Sequence, residues 1–419
     1  MAGLLSYVPI LNRLVPPPSS SSNPSQPSSI ILPRVEVHNV ETSPERRPRT
    51  LKHLLRANHV NHSIIYHHLQ FDNHLPHILC SAYLLGASVH QLHAIYDAEA
   101  AELEPWHDSP AEVSEADWRD TLGDRRYQRA YVDFFEDALA MRFAYDWRRV
   151  VAEYLFSGPE PLANCLVAGL GHPLIHLGYA FEMDNREVAI EALALTATQY
   201  NYLHKYLDDP KYTRPPPEGL SGAATPLELL EKVRGDARFD GLFSEPGFSN
   251  IDVLFEKHED LVLEYWNAWA LLPDPVKQFE ASQEAAVALL VATVPPGTHA
   301  YNFFVVHLLT SSHAVRVVLP FVPARFHASL VRQWWLLALA VYVAQLRPRI
   351  DPDWVPEGLA AKGWSHVERE ALEGRWATDA HFVKAVRAMK QAAMTWGDVH
   401  SRYLAAAVRF VDDFEGWTF

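Results

Sequence analysis

Histidine recurs in this chain where an ordinary helical core has no need of it, and the 419 residues carry 22 of them. In GHPLIHLGYAFE (Gly171–Glu182), His172 and His176 stand at the start of an apolar stretch. A helix turns about 100° per residue, so rings four residues apart fall on nearly the same side. Pro173 suits the first helical position, which would make His172 the cap and His176 the first ring to project from a true turn. Such a pair can hold a metal, bind a ligand or simply cap a helix.

Four further stretches bear histidine. In FDNHLPHILCSAYLLGAS (Phe71–Ser88), Pro76 places His77 just inside a helix and His74 just outside it. In NFFVVHLLTSSHAV (Asn302–Val315), His307 is embedded among apolar residues. His313 lies about 240° further round that helix and cannot share its face. In DAHFVKAVRAMK (Asp379–Lys390), His381 and Lys384 share a face with Ala385 and Ala388, small residues that let something pack close. NHVNHSIIYHH (Asn58–His68) is more polar, and solvated rings are expected there. Taken singly, each histidine reads as a hydrogen-bonded structural residue more readily than as a ligand, and Lys384 as a surface lysine with a buried stem. Taken together, several helices offering imidazoles inward are how helical bundles assemble metal sites. No HExxH, DxDxDG, GxGxxG or GxSxG is present, so neither a common dinucleotide domain nor a serine nucleophile elbow competes.

The elements that must position these residues read as helices. YQRAYVDFFEDALA and VAIEALALTATQYNYLHKYL repeat apolar residues at three- and four-residue steps, and no convincing alternating strand appears. The fold class expected is all-α: one large helical domain over residues 44–419 with an internal metal site. PPPSSSSNPSQPSS (Pro16–Ser29) cannot bury apolar surface, so residues 1–43 are expected to be a flexible, disordered arm. Two Pro/Gly-rich segments, Asp208–Pro226 and Asp351–Trp364, are long enough to be lids or insertions.

Composition narrows the function. Lys and Arg number 36 against 51 Asp and Glu, a net charge of −15 with no basic stripe, which disfavours nucleic acid as a partner. Two cysteines without a CxxC motif point to a reducing, cytoplasmic setting. The start MAGLLSYVPILNRLV lacks the basic region of a signal peptide. The apolar run Trp334–Leu346 is too short to span a bilayer and reads as a buried helix, so no membrane partner is expected.

NHLPHILCSAYLLGAS, GHPLIHLGYAFE, NFFVVHLLTSSHAV and DAHFVKAVRA, in this order and spacing, resemble the questin oxidase-like family, a mainly fungal group from polyketide gene clusters. The resemblance runs from about Leu51 to the end of the sequence; it departs at Ile78, where another histidine is expected. It implies an oxidoreductase that cleaves a ring of an anthraquinone or related polycyclic quinone or hydroquinone with O2, including Baeyer–Villiger-type conversion toward a benzophenone. NADPH is associated with some of these reactions. It also implies a non-haem Fe(2+) site with His77, His176, His307, His381 and a carboxylated Lys384 as ligands. His74, His172 and Tyr179 then become the residues that contact the substrate or support the reaction.

Neutral imidazoles suit ferrous iron, and a carbamate adds a hard anionic donor. An ordinary lysine ammonium cannot bind a metal, but burial beside Phe382, Val383, Ala385 and Val386 would lower its pKa, and the neutral amine can add CO2. Tyr83, Tyr179, Phe303 and Phe304 are expected to line a flat apolar slot for a small aromatic polyketide. Two other functions fit the residues: a metal-independent, NADPH-using Baeyer–Villiger monooxygenase, and a non-catalytic helical binding protein. The need for a reductase partner is left open.

Overall fold

The computed structural model describes residues 30–216, 220, 225–269, 275–295, 297–351, 353 and 358–419. Helices dominate, as the periodicity requires. The first group is α1 (Arg46–Asn61), α2 (Leu75–Leu85), α3 (Val89–Ala100), α4 (Gln128–Met141) and α5 (Trp147–Phe156). The second is α6 (His172–Met183), α7 (Arg186–Thr198), α8 (Lys205–Asp208), α9 (Pro226–Gly235), α10 (Asn250–Ala268) and α11 (Pro275–Val291). The third is α12 (Phe303–Val318), α13 (His327–Ala344), α14 (Gly363–Glu373), α15 (Ala380–Trp396) and α16 (Arg402–Asp413). Strands among the described residues are two-residue pairs: β1 (Ile65–Tyr66) antiparallel to β2 (Phe71–Asp72), and β3 (Tyr301–Asn302) parallel to β4 (Trp417–Thr418).

The site depends on four helices. α6 packs on α12 and on α2, and α15 packs on both α2 and α12. Small residues allow the close approach: a Cβ on Gly178 of α6 would meet the Ala314 Cβ of α12 at 3.4 Å. Capping fixes where two of these helices begin. Asn302 accepts from the Phe304 and Val305 amides at 2.9 and 3.0 Å, and Asp379 accepts from the Phe382 amide at 2.8 Å. Asp379 also accepts from the Trp417 indole at 2.8 Å, tying β4 to the start of α15.

The Trp334–Leu346 run falls largely in α13 and is buried, as expected, except for the exposed Leu346 at its end. A second stretch, Phe303–Phe321, is long and apolar enough to cross a membrane by length and composition, yet 83% of its window is buried inside the protein. Cys80 and Cys165 are both free and buried.

The N-terminal segment differs from expectation where it is described. Ile30, Val35 and Val40 are buried. The Ile30 amide donates to His327 Nδ1 at 3.1 Å, Arg316 donates to the Pro33 carbonyl at 2.8 Å, and the His38 amide donates to the Glu182 carbonyl at 2.7 Å. Residues 30–43 are therefore packed against the helices by apolar burial and backbone bonding; the Pro16–Ser29 tract lies outside the described residues. Of the two expected lids, Pro210–Tyr212 and Leu359–Lys362 form single 3-10 turns, and residues 217–219, 221–224, 352 and 354–357 lie outside the described residues.

Candidate metal centre

His74, His172, His307 and His381 each present a ring nitrogen within 4.8 Å of the other three. The starts of α2, α6 and α15 and the second turn of α12 bring them together. His74 occupies the cap position of α2, and Pro76 sits in that helix's first turn. His172 opens α6 as its first residue, one place later than the cap position expected from Pro173. His307 projects from the first turns of α12 and His381 from the start of α15.

The hydrogen-bond partners fix which nitrogen faces inward. His172 Nδ1 donates to the Gly169 carbonyl, and His307 Nδ1 donates to the Phe303 carbonyl at 2.8 Å. A carbonyl only accepts, so each Nδ1 carries the hydrogen and each Nε2 keeps a lone pair. These Nε2 atoms meet the Nε2 atoms of the other two rings: His74 to His172 at 2.8 Å and His381 to His307 at 3.2 Å. Two imidazole nitrogens this close share either a hydrogen or a cation. Burial lowers the pKa of all four rings, and the neighbouring Lys384 and other histidines lower those of His74, His307 and His381 further. Four neutral imidazoles whose ring nitrogens converge fit a metal ion. Donors at about 2.1 Å on opposite sides of an ion stand about 4.2 Å apart, so the rings, whose nitrogens lie within 4.8 Å of one another, need to draw in only slightly to hold one.

Lys384 belongs to the same pocket. Its side chain is 1% exposed and its Nζ has no hydrogen-bond partner. Burial pushes its pKa down to about 7, against the pull of the Asp379, Asp72 and Glu99 carboxylates. Behind His172, Asp72 Oδ2 lies 3.2 Å from Nδ1, and Asp72 is itself held by the Gln199 amide. This arrangement fixes ring tautomer and orientation, as acidic partners do around metal-binding histidines. Gly169, with φ +54°, is what makes room for it: a Cβ there would fall 1.6 Å from Gln199 Oε1.

His77 and His176 do not join the four-ring group. His77 Nε2 and His176 Nδ1 are 2.8 Å apart, and His176 Nε2 bonds Glu191 Oε2 at 2.9 Å. Both rings lie fully buried behind the centre, His77 with its ring centroid 5.4 Å from His74 and 6.2 Å from His172. The geometry thus gathers His307 and His381 from the ligand set that the resemblance implies, and places His74 and His172 where that set has His77 and His176.

The expected aromatic slot is partly present. Phe303 lies 4.5 Å from the His381 ring and 5.1 Å from the His307 ring, centroid to centroid. Phe419 packs on Phe303 at 4.8 Å, Trp417 on His381 at 6.0 Å, and Phe304 on Phe248 at 6.0 Å. Phe248 and Phe419 are exposed large aromatics, so this group runs from the histidines to solvent. Tyr179 is buried 5.4 Å from the His77 ring with its hydroxyl bonded to Ser81 at 2.6 Å. Tyr83 instead lies under Arg47 beside a separate cavity that also holds Glu182 and Arg387.

Asp72, Glu191 and His59 are the residues sequence reasoning missed. Glu191 stood in the apolar run VAIEALALTA, where an isolated acid in a buried helix is itself a signal. His59 was expected among solvated rings. It is buried on α1, bonded to Glu191 at 2.8 Å and Glu136 at 3.1 Å, while His67 and His68 are exposed. His313 is buried away from the centre, 3.9 Å from Glu182, on the separate face expected for it.

The profile of the questin oxidase-like family matches residues 71–389, which span all four converging histidines. The chain is 26% identical to Baeyer-Villiger oxidase AgnL3 of Paecilomyces divaricatus, over 81% of this chain and 78% of that protein. It is 26% identical to a questin oxidase of Aspergillus fumigatus, over 84% and 82%, and 25% identical to oxidoreductase AflY of Aspergillus parasiticus, over 76% and 67%. With a family match over most of its length, the chain belongs to the questin oxidase-like family.

Proposed function

We propose that this protein is an oxygenase that opens or expands a ring of an anthraquinone-type polycyclic hydroquinone, at a non-haem iron held by His74, His172, His307 and His381 with a carboxylated Lys384. The observation that carries the reading is the convergence of four neutral imidazoles beside an aromatic group that reaches solvent. Imidazole donors suit several metals, but zinc has no redox chemistry, and relatives bearing oxidase names favour iron. Bound there, iron would supply the activation of O2.

The remaining chemistry belongs to the chain. Phe303, Trp417 and Phe419 offer flat apolar faces against which a polycyclic ring can stack beside His381 and His307. Asp72 and the Gly169 and Phe303 carbonyls hold the rings with lone pairs inward. With a hydroquinone substrate the balance closes without another reductant: one oxygen atom enters the ring, the other leaves as water with the two hydroxyl hydrogens, and the hydroquinone supplies both electrons. NADPH would then be needed only to bring a quinone to the hydroquinone level. Incubation with an anthrahydroquinone under 18O2 tests this. The expected product carries one labelled oxygen and forms with one O2 consumed. Undiminished turnover in rigorously metal-free protein, or a product without label, would overturn it.

A further inference from the structure

A chain of hydrogen bonds starts at His77, whose ring packs on His74 and His172 at the back of the centre, and reaches the surface. His77 Nε2 meets His176 Nδ1 at 2.8 Å, and His176 Nε2 meets Glu191 Oε2 at 2.9 Å. Glu191 Oε1 meets His59 Nδ1 at 2.8 Å, and His59 Nε2 meets Glu136 Oε1 at 3.1 Å. The five groups come from five different helices, α2, α6, α7, α1 and α4. Glu191, His176 and His77 are buried, whereas the Glu136 side chain is 46% exposed. Glu136 and His59 line a cavity of about 310 Å³ with Arg56, Asp137 and Glu187. At the inner end, His77 Nδ1 is buried without any partner.

We propose that Glu136, His59, Glu191, His176 and His77 form a proton path between this cavity and the histidine centre. It serves the hydroxyl protons that the proposed oxygenase reaction moves, and to that extent rests on that reading. Two features distinguish a path from a structural brace. Every internal group uses both of its polar atoms, one toward each neighbour, so a proton accepted on one side can be released from the other. The free inner nitrogen satisfies nothing in the fold, and a buried polar atom without a partner is destabilising unless something else uses it. Passage is balanced: one proton enters at one end and one leaves at the other, only N–H and O–H bonds are exchanged, and no electrons move.

His59→Gln is the informative variant. A glutamine amide can still bond Glu136 and Glu191 but cannot take up a proton. In full-length protein labelled with 15N-histidine, with zinc in place of any paramagnetic metal, the exchange of the His176 ring hydrogen with deuterated water is followed by NMR. It should slow by about tenfold or more in His59→Gln and recover when imidazole is added to fill the cavity. An unchanged exchange rate, or slowing that imidazole does not relieve, overturns the path. In oxygen-uptake assays the same variant should lose kcat while keeping KM and show a larger solvent deuterium isotope effect. Wild-type protein that fails to consume O2 with a hydroquinone counts against the oxygenase reading alone, because the exchange comparison decides the path by itself.

Discussion

Replacing Lys384 by methionine should stabilise the metal-free protein while removing its metal. The buried amine has its pKa lowered from 10.5 to about 7, chiefly by desolvation. Each pH unit of that interval is worth about 1.4 kcal/mol, so keeping an unmodified lysine at this position costs the fold about 5 kcal/mol. The sign follows from the direction. Between pH 7 and 10.5 the unfolded chain holds a proton that the folded protein has shed, so the cost is full below about pH 7, shrinks as pH rises and vanishes above 10.5. Methionine keeps an apolar stem and carries no charge. Urea unfolding in chelated, CO2-free buffer should therefore show Lys384→Met several kcal/mol more stable than wild type at pH 6. The advantage should fall to about 2 kcal/mol by pH 9. Under aerobic, bicarbonate-containing conditions the same variant should retain little iron. A methionine variant that is less stable than wild type at pH 6, or a difference independent of pH, would refute the burial argument. Normal iron content in Lys384→Met or Lys384→Arg would refute the ligand assignment.

Other perturbations probe separate parts. His307→Ala should lose metal and activity, whereas His313→Ala, on the other face of α12 beside Glu182, should leave metal content near normal by elemental analysis. Gly169→Ala should displace Gln199 and with it the support of Asp72 and His172. Metal affinity should fall by about tenfold or more, as for other losses of ligand support, with helical circular dichroism retained. At His59, burial acts to lower the pKa, but the hydrogen bonds to Glu136 and Glu191 prevail and lift it to about 10. Because the folded value is raised, the stabilisation is fully present below pH 6.5 and is lost as pH rises through 10. His59→Gln should thus be destabilising at pH 6, and the difference from wild type should narrow toward pH 10 in thermal melts. Phe303→Ala should raise KM for a polycyclic substrate more than it lowers kcat, since the ring is assigned to stacking.

Much of the fold was legible because helical periodicity is local. The apolar repeats of α4 and α7, the buried run in α13 and the opposed faces of His307 and His313 follow from spacing alone. The centre was harder for a definite reason. At the N-termini of α2 and α6, two histidines stand within one turn of each other, and which ring faces the centre depends on how these helices cross α12 and α15. That crossing is set by contacts such as Gly178 against Ala314, which no single-helix pattern contains. His172, read as a cap, and His74, read as lying just outside its helix, turn their rings inward because those helix starts point at the site. The acids were hidden for the opposite reason: Glu191 and Asp72 read as ordinary polar residues until histidines from distant segments met them. His59 was misjudged because the polar stretch around it masks the buried face of α1.

The central claim is that the metal is held by the ring pair at the helix starts and not by the pair behind them. Metal per chain in His172→Ala measured against His176→Gln tests it most directly. The converging geometry predicts that His172→Ala binds little iron while His176→Gln, which can keep a hydrogen bond to Glu191, retains most of it. Retention of iron by His172→Ala with its loss from His176→Gln would contradict the account and restore His77 and His176 as ligands.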